Sequence, residues 1–132
     1  MKYTDEILLS LHPKYWDLIK AGKKTIEIRK TKPQGVHYPF RVFVYLTGGI
    51  GVVGCFDCDS IKMTLDFKQF VDGSCLTEKE LSEYSNGKPL CGWHIKENSV
   101  CEYETAFPLE MATGFTRPPQ SWQYMKKESE YE

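Results

Sequence analysis

The segment at residues 22–29 places the strongest constraint on how this chain can fold. It follows a short amphipathic stretch that begins at Pro13, and its charged and apolar residues alternate strictly after a glycine. Because successive side chains of a strand point to opposite faces, Ile26 and Ile28 are predicted to enter a core. The polar side chains of this strand then share the other face: Thr25, Glu27 and Arg29. The sequence predicts a helix, a glycine stop and a strand with a charged row.

Two interpretations fit this charged row. Amphipathic strands with a solvated ion pair are common, and such pairs contribute little to stability. Alternatively, Lys24, Glu27 and Arg29 form an anion-binding ledge with its own counter-charge, since Arg offers a planar fork, Lys a compact charge and Glu an acceptor. A ligand site of this kind predicts that Glu27→Gln leaves the melting temperature nearly unchanged.

The spacing of this segment resembles the signature of a known family. Gly22-x-Lys24-x-x-Glu27-x-Arg29 is similar to the G-x-K-x-x-E-x-R motif of the ASCH family, a branch of the PUA-like β-barrels. Three further segments resemble members of that family: the opening strand and helix start at 6–15, a core strand at 42–47, and a Pro-Gln-Ser-aromatic segment at 118–124. The chain resembles a small single-domain member of the bacterial and phage type.

Periodicity and the resemblance together predict the architecture. Alternating segments predict about five or six strands, and two amphipathic segments predict two main helices. Thr77-Glu78-Lys79-Glu80 reads as a capping box that opens the second of these helices. The fold class is therefore predicted to be α+β with mixed strands, and the resemblance implies that the sheet curls into a PUA-like barrel.

Length and composition favour one domain. The 132 residues are enough to bury a core without disulfides or metal, and we expect that core at about 6–125, followed by a charged tail at 126–132. No apolar run reaches the length of a membrane span, and the polar N-terminus lacks the apolar segment of a signal peptide. These features predict a cytoplasmic protein without a membrane partner, and they leave the oligomeric state open.

The charge distribution limits the nucleic acids that this chain can bind. The net charge is −1, whereas proteins that hold long duplex DNA through many phosphates usually carry a basic surplus. Basic residues nevertheless crowd the first quarter of the chain, and acidic ones gather later. A local basic face is therefore predicted, and a long duplex footprint is not.

The resemblance implies a cleft that receives RNA or a nucleotide-like ligand. Lys24 and Arg29 are expected to meet an anion there, and Glu27 to orient Arg29 or contact an amino group of a base. Aromatic residues near the cleft could stack on a base. Tyr45 and Trp93 are the preferred candidates, while Tyr15, Trp122 and Tyr124 are weighed beside them. Ser121 is expected to supply a further hydrogen bond.

A hydrolase is the alternative function. Some ASCH-like proteins hydrolyse acylated cytidine with a Lys, a Thr and a Glu, and their motif carries Thr at the position that Glu27 occupies here. This departure from the motif weakens the prediction of an amidohydrolase-like activity on a modified nucleoside. Thr25 shares the face of Glu27 but lies two residues earlier. Lys24 and Glu27 remain candidate catalytic residues for that reaction or for RNA cleavage.

The cysteines and loops predict neither a metal nor a cofactor. Five cysteines are an odd number in a chain without an export signal, which favours reduced thiols. Cys55-x-x-Cys58 lies in a predicted strand, where positions three apart face opposite ways, and no second pair with zinc-like spacing follows. No glycine-rich phosphate loop is present either.

Overall fold

The computed structural model describes residues 5–125, so the charged tail predicted at 126–132 lies outside the described residues. The described part contains seven strands, which are β1 (Glu6–Leu11), β2 (Ile26–Arg29), β3 (Phe40–Leu46), β4 (Gly51–Thr64), β5 (Leu90–Ile95), β6 (Cys101–Phe107) and β7 (Trp122–Tyr124). It also contains four helices, α1 (Pro13–Lys20), α2 (Val71–Ser74), α3 (Glu78–Ser85) and α4 (Leu109–Thr113), with a 3₁₀ turn at Phe67–Phe70. None of these helices is long and apolar enough to cross a membrane.

All seven strands belong to one mixed sheet. Its order is β2-β5-β4-β3-β1-β7, and β6 pairs with the first half of β4. β1 and β3 run parallel because α1 and β2 lie between them in the chain, while the remaining neighbours are antiparallel. The predicted α+β fold with a curled mixed sheet is confirmed. Within residues 5–125 the sheet has seven strands instead of five or six, and there are four helices instead of two.

The elements that the sequence did not predict are short. α2 and α4 span 4 and 5 residues, and β7 spans 3. A hydrophobic period cannot be recognised over so few positions. β7 exists because its residues pair with β1, with Leu9 opposite Trp122 and Ile7 opposite Tyr124. Its formation therefore depends on the tertiary fold.

The main core lies inside the curl of the sheet. Trp93 of β5 is fully buried there, and its ring centroid lies 5.7 Å from that of Phe40 and 5.8 Å from that of Trp122. The indole N–H of Trp93 donates to the carbonyl of Thr31 over 3.3 Å. The apolar face of α1 covers this core with Trp16. Aromatic contacts thus join β3, β5 and β7 across the interior.

β3 separates two apolar clusters, as its alternation predicts. Its residues Val42, Val44 and Leu46 enter the main core. On the opposite face, Tyr45 packs with Leu8 and Val52 in an outer cluster that Phe43 adjoins. Both faces of the sheet are therefore covered by apolar side chains at this strand.

The two isoleucines of the charged segment pack where the alternation predicts. Ile28 of β2 is 6% exposed and belongs to a second apolar cluster beneath α2 and α3, and Ile26 is half-buried against the same cluster. The other members of this cluster come from the 3₁₀ turn, α3 and β5: Phe67, Phe70, Leu81 and Leu90. This cluster fixes the helical segments to the edge of the sheet.

Truncation of Ile28 should measure this anchoring. Ile28→Ala removes buried methyl groups and leaves a cavity, so we expect the free energy of unfolding to fall by about 2–5 kcal/mol. Met63→Ala is the matched control, because Met63 is 58% exposed and should change stability by less than about 0.5 kcal/mol. Urea unfolding followed by circular dichroism would give both values. Equal losses in the two variants would contradict the assignment of Ile28 to a core.

Candidate functional site

The turn between α1 and β2 sets the start of the charged segment. The N–H of Gly22 donates to the carbonyl of Ile19, and the N–H groups of Lys23 and Lys24 both donate to Leu18. Gly22 has a φ of 75°, a conformation that glycine adopts without the cost that a Cβ imposes. The chain therefore turns sharply at the helix end, and Lys24 enters the fold directly after it.

Lys24 is buried beneath the last residue of α2. The residue is 2% exposed, and its Nζ donates to the carbonyl oxygen of Ser74 over 2.7 Å. The same Nζ lies 3.4 Å from Oε1 of Glu27 and 5.0 Å from the centroid of the Tyr15 ring. Every one of these neighbours favours a cation. Lys24 therefore serves here as a donor that ties α2 to β2.

Glu27 and Arg29 form a buried ion pair along one face of β2. Oε2 of Glu27 accepts hydrogen bonds from Nε and Nη2 of Arg29 over 2.8 and 2.6 Å. The two residues are 4% and 9% exposed. Positions two apart in a strand share a face, so the local sequence alone brings these groups together. The charged row is thus a desolvated network rather than a solvated pair.

The remaining donors of Arg29 reach the opposite end of the sheet. Nη1 donates to the carbonyl and the Oγ of Ser121, each over 3.1 Å, and Nη2 donates to the carbonyl of Ser10 over 2.8 Å. Together with the two bonds to Glu27, these make five donated bonds, and a guanidinium has five N–H groups. Arg29 is saturated by the protein. The predicted hydrogen bond between Arg29 and an anion would require one of these partners to be displaced.

Glu27 retains one acceptor. Its Oε1 takes part in the ion pair with Lys24 but accepts no hydrogen bond from the described residues. One carboxylate between Lys24 and Arg29 also leaves a formal charge of +1 in the buried row. Oε1 of Glu27 is therefore the atom of this network that can still accept a hydrogen bond.

A pocket of about 350 Å³ opens onto this network, and we call it the tyrosine pocket. Tyr15 of α1 and Tyr84 of α3 both line it, and Glu27 and Arg29 contribute its buried end. Its other lining residues come from β1, β2 and α3 and from the segments before α1, after β3, before α3 and before β7: Ser10, Leu11, His12, Ile28, Thr47, Leu76, Glu80 and Gln120. Two aromatic rings thus border a cavity with a charged base.

Lysines lie beside both tyrosines. Nζ of Lys14 is 4.9 Å from the centroid of the Tyr15 ring, and Nζ of Lys30 is 4.7 Å from that of Tyr84. Burial raises the pKa of the Tyr84 hydroxyl; the nearby Arg29 lowers it and Glu27 raises it. Tyr84 therefore keeps its proton at neutral pH and can donate a hydrogen bond. Cations therefore lie beside both of the aromatic rings that border the pocket, although neither lysine lines the pocket itself.

A model of the ASCH domain matches residues 9–112 of this chain. The chain belongs to the ASCH domain family. Its fold is similar to that of an ASCH protein from Zymomonas mobilis at 22% identity, with a TM-score of 0.76 over 96% of this chain and 92% of that one. A serine-to-alanine variant of ASCH from the same organism gives a TM-score of 0.79 at 20% identity, over 99% and 95% of the two chains. At these identities the likeness shows the fold alone. No curated protein matches the chain.

The aromatic candidates that the sequence favoured lie away from the tyrosine pocket of this ASCH domain. Trp93 is 0% exposed in the main core, where no ligand can reach its ring without unpacking β3 and β7. Tyr45 is 8% exposed in the outer cluster on the opposite face of the sheet. Neither residue lines the pocket. The walls come instead from Tyr15, which is among the candidates that the sequence offers, and from Tyr84, which the sequence pattern did not predict.

The predicted polar residues divide between two places. Glu27 and Arg29 line the tyrosine pocket, and Ser121 contacts Arg29 directly beside it. Lys24 and Thr25 line a neighbouring open depression of about 710 Å³ together with His94 and Lys96. Thr25 is exposed there, apart from the acceptor of Glu27. The structure therefore joins Lys24, Glu27 and Arg29 in one charged row, although Lys24 lines the neighbouring depression, and it leaves Thr25 outside that row.

Three further pocket residues, Glu80, His12 and Tyr84, were not predicted from the sequence as site residues. Glu80 carries a clear structural signal, because its side chain accepts from the N–H of Thr77 in the capping box. The Nδ1 of His12 lies 3.2 Å from Oγ1 of Thr47, across a separation of 35 residues. The α3 helix also carries Tyr84, one turn beyond Glu80. A helical wheel of α3 would have placed Tyr84 near Glu80 at i, i+4.

The burial of Glu27 contradicts the sequence-based prediction that Glu27→Gln leaves the melting temperature nearly unchanged. The substitution removes the counter-charge of two buried cations, so we expect the free energy of unfolding to fall by about 3–5 kcal/mol. Glu80→Gln is the control in the same pocket, since it is exposed and Gln can preserve the capping box. Its stability should be nearly unchanged. The urea midpoints of unfolding of the two variants give this comparison. A Glu27→Gln protein as stable as Glu80→Gln would show that the charged row is solvated.

Proposed function

We propose that this ASCH domain binds one nucleotide unit, free or within single-stranded RNA, in the tyrosine pocket. The observation that carries the proposal is that Tyr15 and Tyr84 line the same pocket as Glu27, whose Oε1 can accept a further hydrogen bond beside its ion pair with Lys24. ASCH domains are generally linked to RNA binding, which is consistent with this chemistry. An aromatic wall binds any base through its π face, at about 1–3 kcal/mol per stacked base.

The hydrogen bonds already made by Arg29 and Glu27 favour a ligand that binds with its base inward. Every N–H of Arg29 is used within the protein, whereas Oε1 of Glu27 has an ion pair with Lys24 but accepts no hydrogen bond from the described residues, so the buried row accepts further hydrogen bonds more readily than it donates them. A phosphate brings only acceptors to such a site. An amino or imino group of a base brings a donor that can reach Oε1 of Glu27 in addition to the Lys24 ammonium. The base edge therefore fits the buried end better than the phosphate does.

The rim of the pocket suits the phosphate. Lys14 and Lys30 stand beside the two tyrosines, and both are exposed, so each can turn toward an anion at the mouth. Two rim lysines match one or two phosphates, which agrees with a net charge of −1 for the whole chain. The ligand of this proposal is compact, with its base between tyrosines and its phosphate against lysines.

Hydrolysis of a bound nucleoside or RNA is the second candidate, and one observation favours it. The tyrosine pocket contains the imidazole of His12 and the carboxylate of Glu80, both exposed, in addition to its binding groups. An imidazole and a carboxylate near a bound ligand can exchange protons with it. Incubation of the domain with acylated cytidine and with single-stranded RNA, followed by mass analysis, would detect products. Turnover that is lost in His12→Ala supports this candidate, and an absence of products leaves binding as the function.

Removal of the Tyr84 ring should weaken binding. We expect Tyr84→Ala to raise the dissociation constant of ribonucleoside 5′-monophosphates by the equivalent of about 1–3 kcal/mol, because one stacking surface is lost. Tyr38→Ala is the control, since Tyr38 is 47% exposed, close to the 42% of Tyr84, and lies outside the pocket. Isothermal titration calorimetry measures both. Equal affinities in the two variants would remove Tyr84 from the site.

The rim lysines should act through the phosphate alone. In Lys14→Gln/Lys30→Gln we expect a 5′-monophosphate to bind no better than its nucleoside, while nucleoside affinity stays near that of the wild type. The salt slope should also flatten from about −0.7 per phosphate toward zero. Lys62→Gln/Lys68→Gln, at exposed positions outside the pocket, serves as the charge-matched control. A phosphate contribution that survives loss of Lys14 and Lys30 would place the phosphate elsewhere.

A further inference from the structure

Two cysteines face each other across neighbouring strands. In the antiparallel register of β4 and β6, Cys55 lies directly opposite Cys101, and both are free thiols. Directly opposed residues of antiparallel strands have Cα atoms about 4.5–5.5 Å apart. A disulfide spans Cα separations of about 4.4–6.8 Å. The backbone of this sheet therefore already holds the two residues within bonding range.

The side chains of the pair also share a face. Directly opposed residues project to the same side of a sheet, with their Cβ atoms about 4.5–5.5 Å apart. A disulfide needs a Cβ separation of about 3.5–4.5 Å, so the two strands must approach each other slightly as the bond forms. Tyr103, two positions after Cys101, projects to that side as well and packs against the outer cluster. Cys55 is therefore turned toward the β6 side chains of the outer face.

The two thiols differ in access. Cys101 is exposed, whereas Cys55 is 7% exposed. Burial raises the pKa of the Cys55 thiol, and the nearby Arg41 partly opposes that shift. A reagent in solution therefore meets Cys101 first, and Cys55 is placed to react second with whatever forms on its neighbour.

We propose that Cys55 and Cys101 are a reversible modification site that forms a cross-strand disulfide with a small disulfide such as oxidised glutathione. The thiolate of Cys101 attacks one sulfur of the small disulfide, releases one thiol and forms a mixed disulfide. The thiolate of Cys55 then attacks Sγ of Cys101 and releases the second thiol. Two protein thiols are oxidised to one disulfide, and one small disulfide is reduced to two thiols.

The other three cysteines have no such neighbour. Cys58 faces Ile95 in β5, and its side chain enters the main core. Cys91 faces Met63 in β4. Cys75 lies in the turn after α2, where its Sγ donates to the carbonyl of Lys23. The register therefore selects one pair among the five cysteines of the chain.

Treatment of the purified protein with oxidised glutathione tests the proposal. Peptide mass analysis without reduction should reveal Cys55 joined to Cys101, with a loss of two hydrogens that dithiothreitol restores. Cys101→Ser should abolish this cross-link, and Cys75→Ser should leave it intact. In Cys55→Ser the glutathione adduct on Cys101 should persist instead of resolving.

Two outcomes would overturn the assignment. One is a glutathione adduct on wild-type Cys101 that persists as long as in the Cys55→Ser variant. The other is a cross-link between a different pair of cysteines. If Cys55→Ser does not fold, the loss of the cross-link in Cys101→Ser is the test. Cys101 is exposed, so its side chain can be replaced without disturbing a core.

Discussion

The guanidinium of Arg29 holds the two ends of the curled sheet together. β2 and β7 terminate the strand order, so no backbone ladder joins them. Arg29 spans this gap through Ser10 and Ser121, and the indole N–H of Trp122 donates to Oγ1 of Thr31 beside it. Charged donors form stronger hydrogen bonds than neutral ones, particularly where water is excluded. The shape of the core, and the position of everything that surrounds it, depends on this closure.

The same closure determines what the candidate site can recognise. Because the five N–H groups of Arg29 donate within the protein, the acceptor left in the buried row is Oε1 of Glu27. Lys24 stabilises that carboxylate from behind and binds α2 through Ser74. Scaffold and site are thus one network of charges. Substitution of any member changes stability as well as recognition, so binding studies are better directed at the walls and rim.

Local sequence determines a large part of this fold. The alternation of β2 and β3, the glycine at the end of α1 and the capping box at Thr77 are all visible in short segments, and the structure has each of them. The saturation of Arg29 was not predictable in this way, because its partners lie 19 and 92 residues away. The burial of Trp93 likewise depends on Phe40 and Trp122. The residue types of the sequence predict an aromatic, charged site, but which aromatic residues line the pocket depends on tertiary packing.

The long reach of Arg29 has a consequence for biosynthesis. A nascent chain that has emerged only as far as α4 already contains the whole charged motif, both tyrosines and most strands. It lacks Ser121 and β7, so two guanidinium donors have no protein acceptor and the sheet has no partner for the outer edge of β1. Loop-closure entropy must be overcome before contacts of such high sequence separation can form. The tyrosine pocket, which Gln120 lines, is therefore complete only when the segment around β7 has docked against β1.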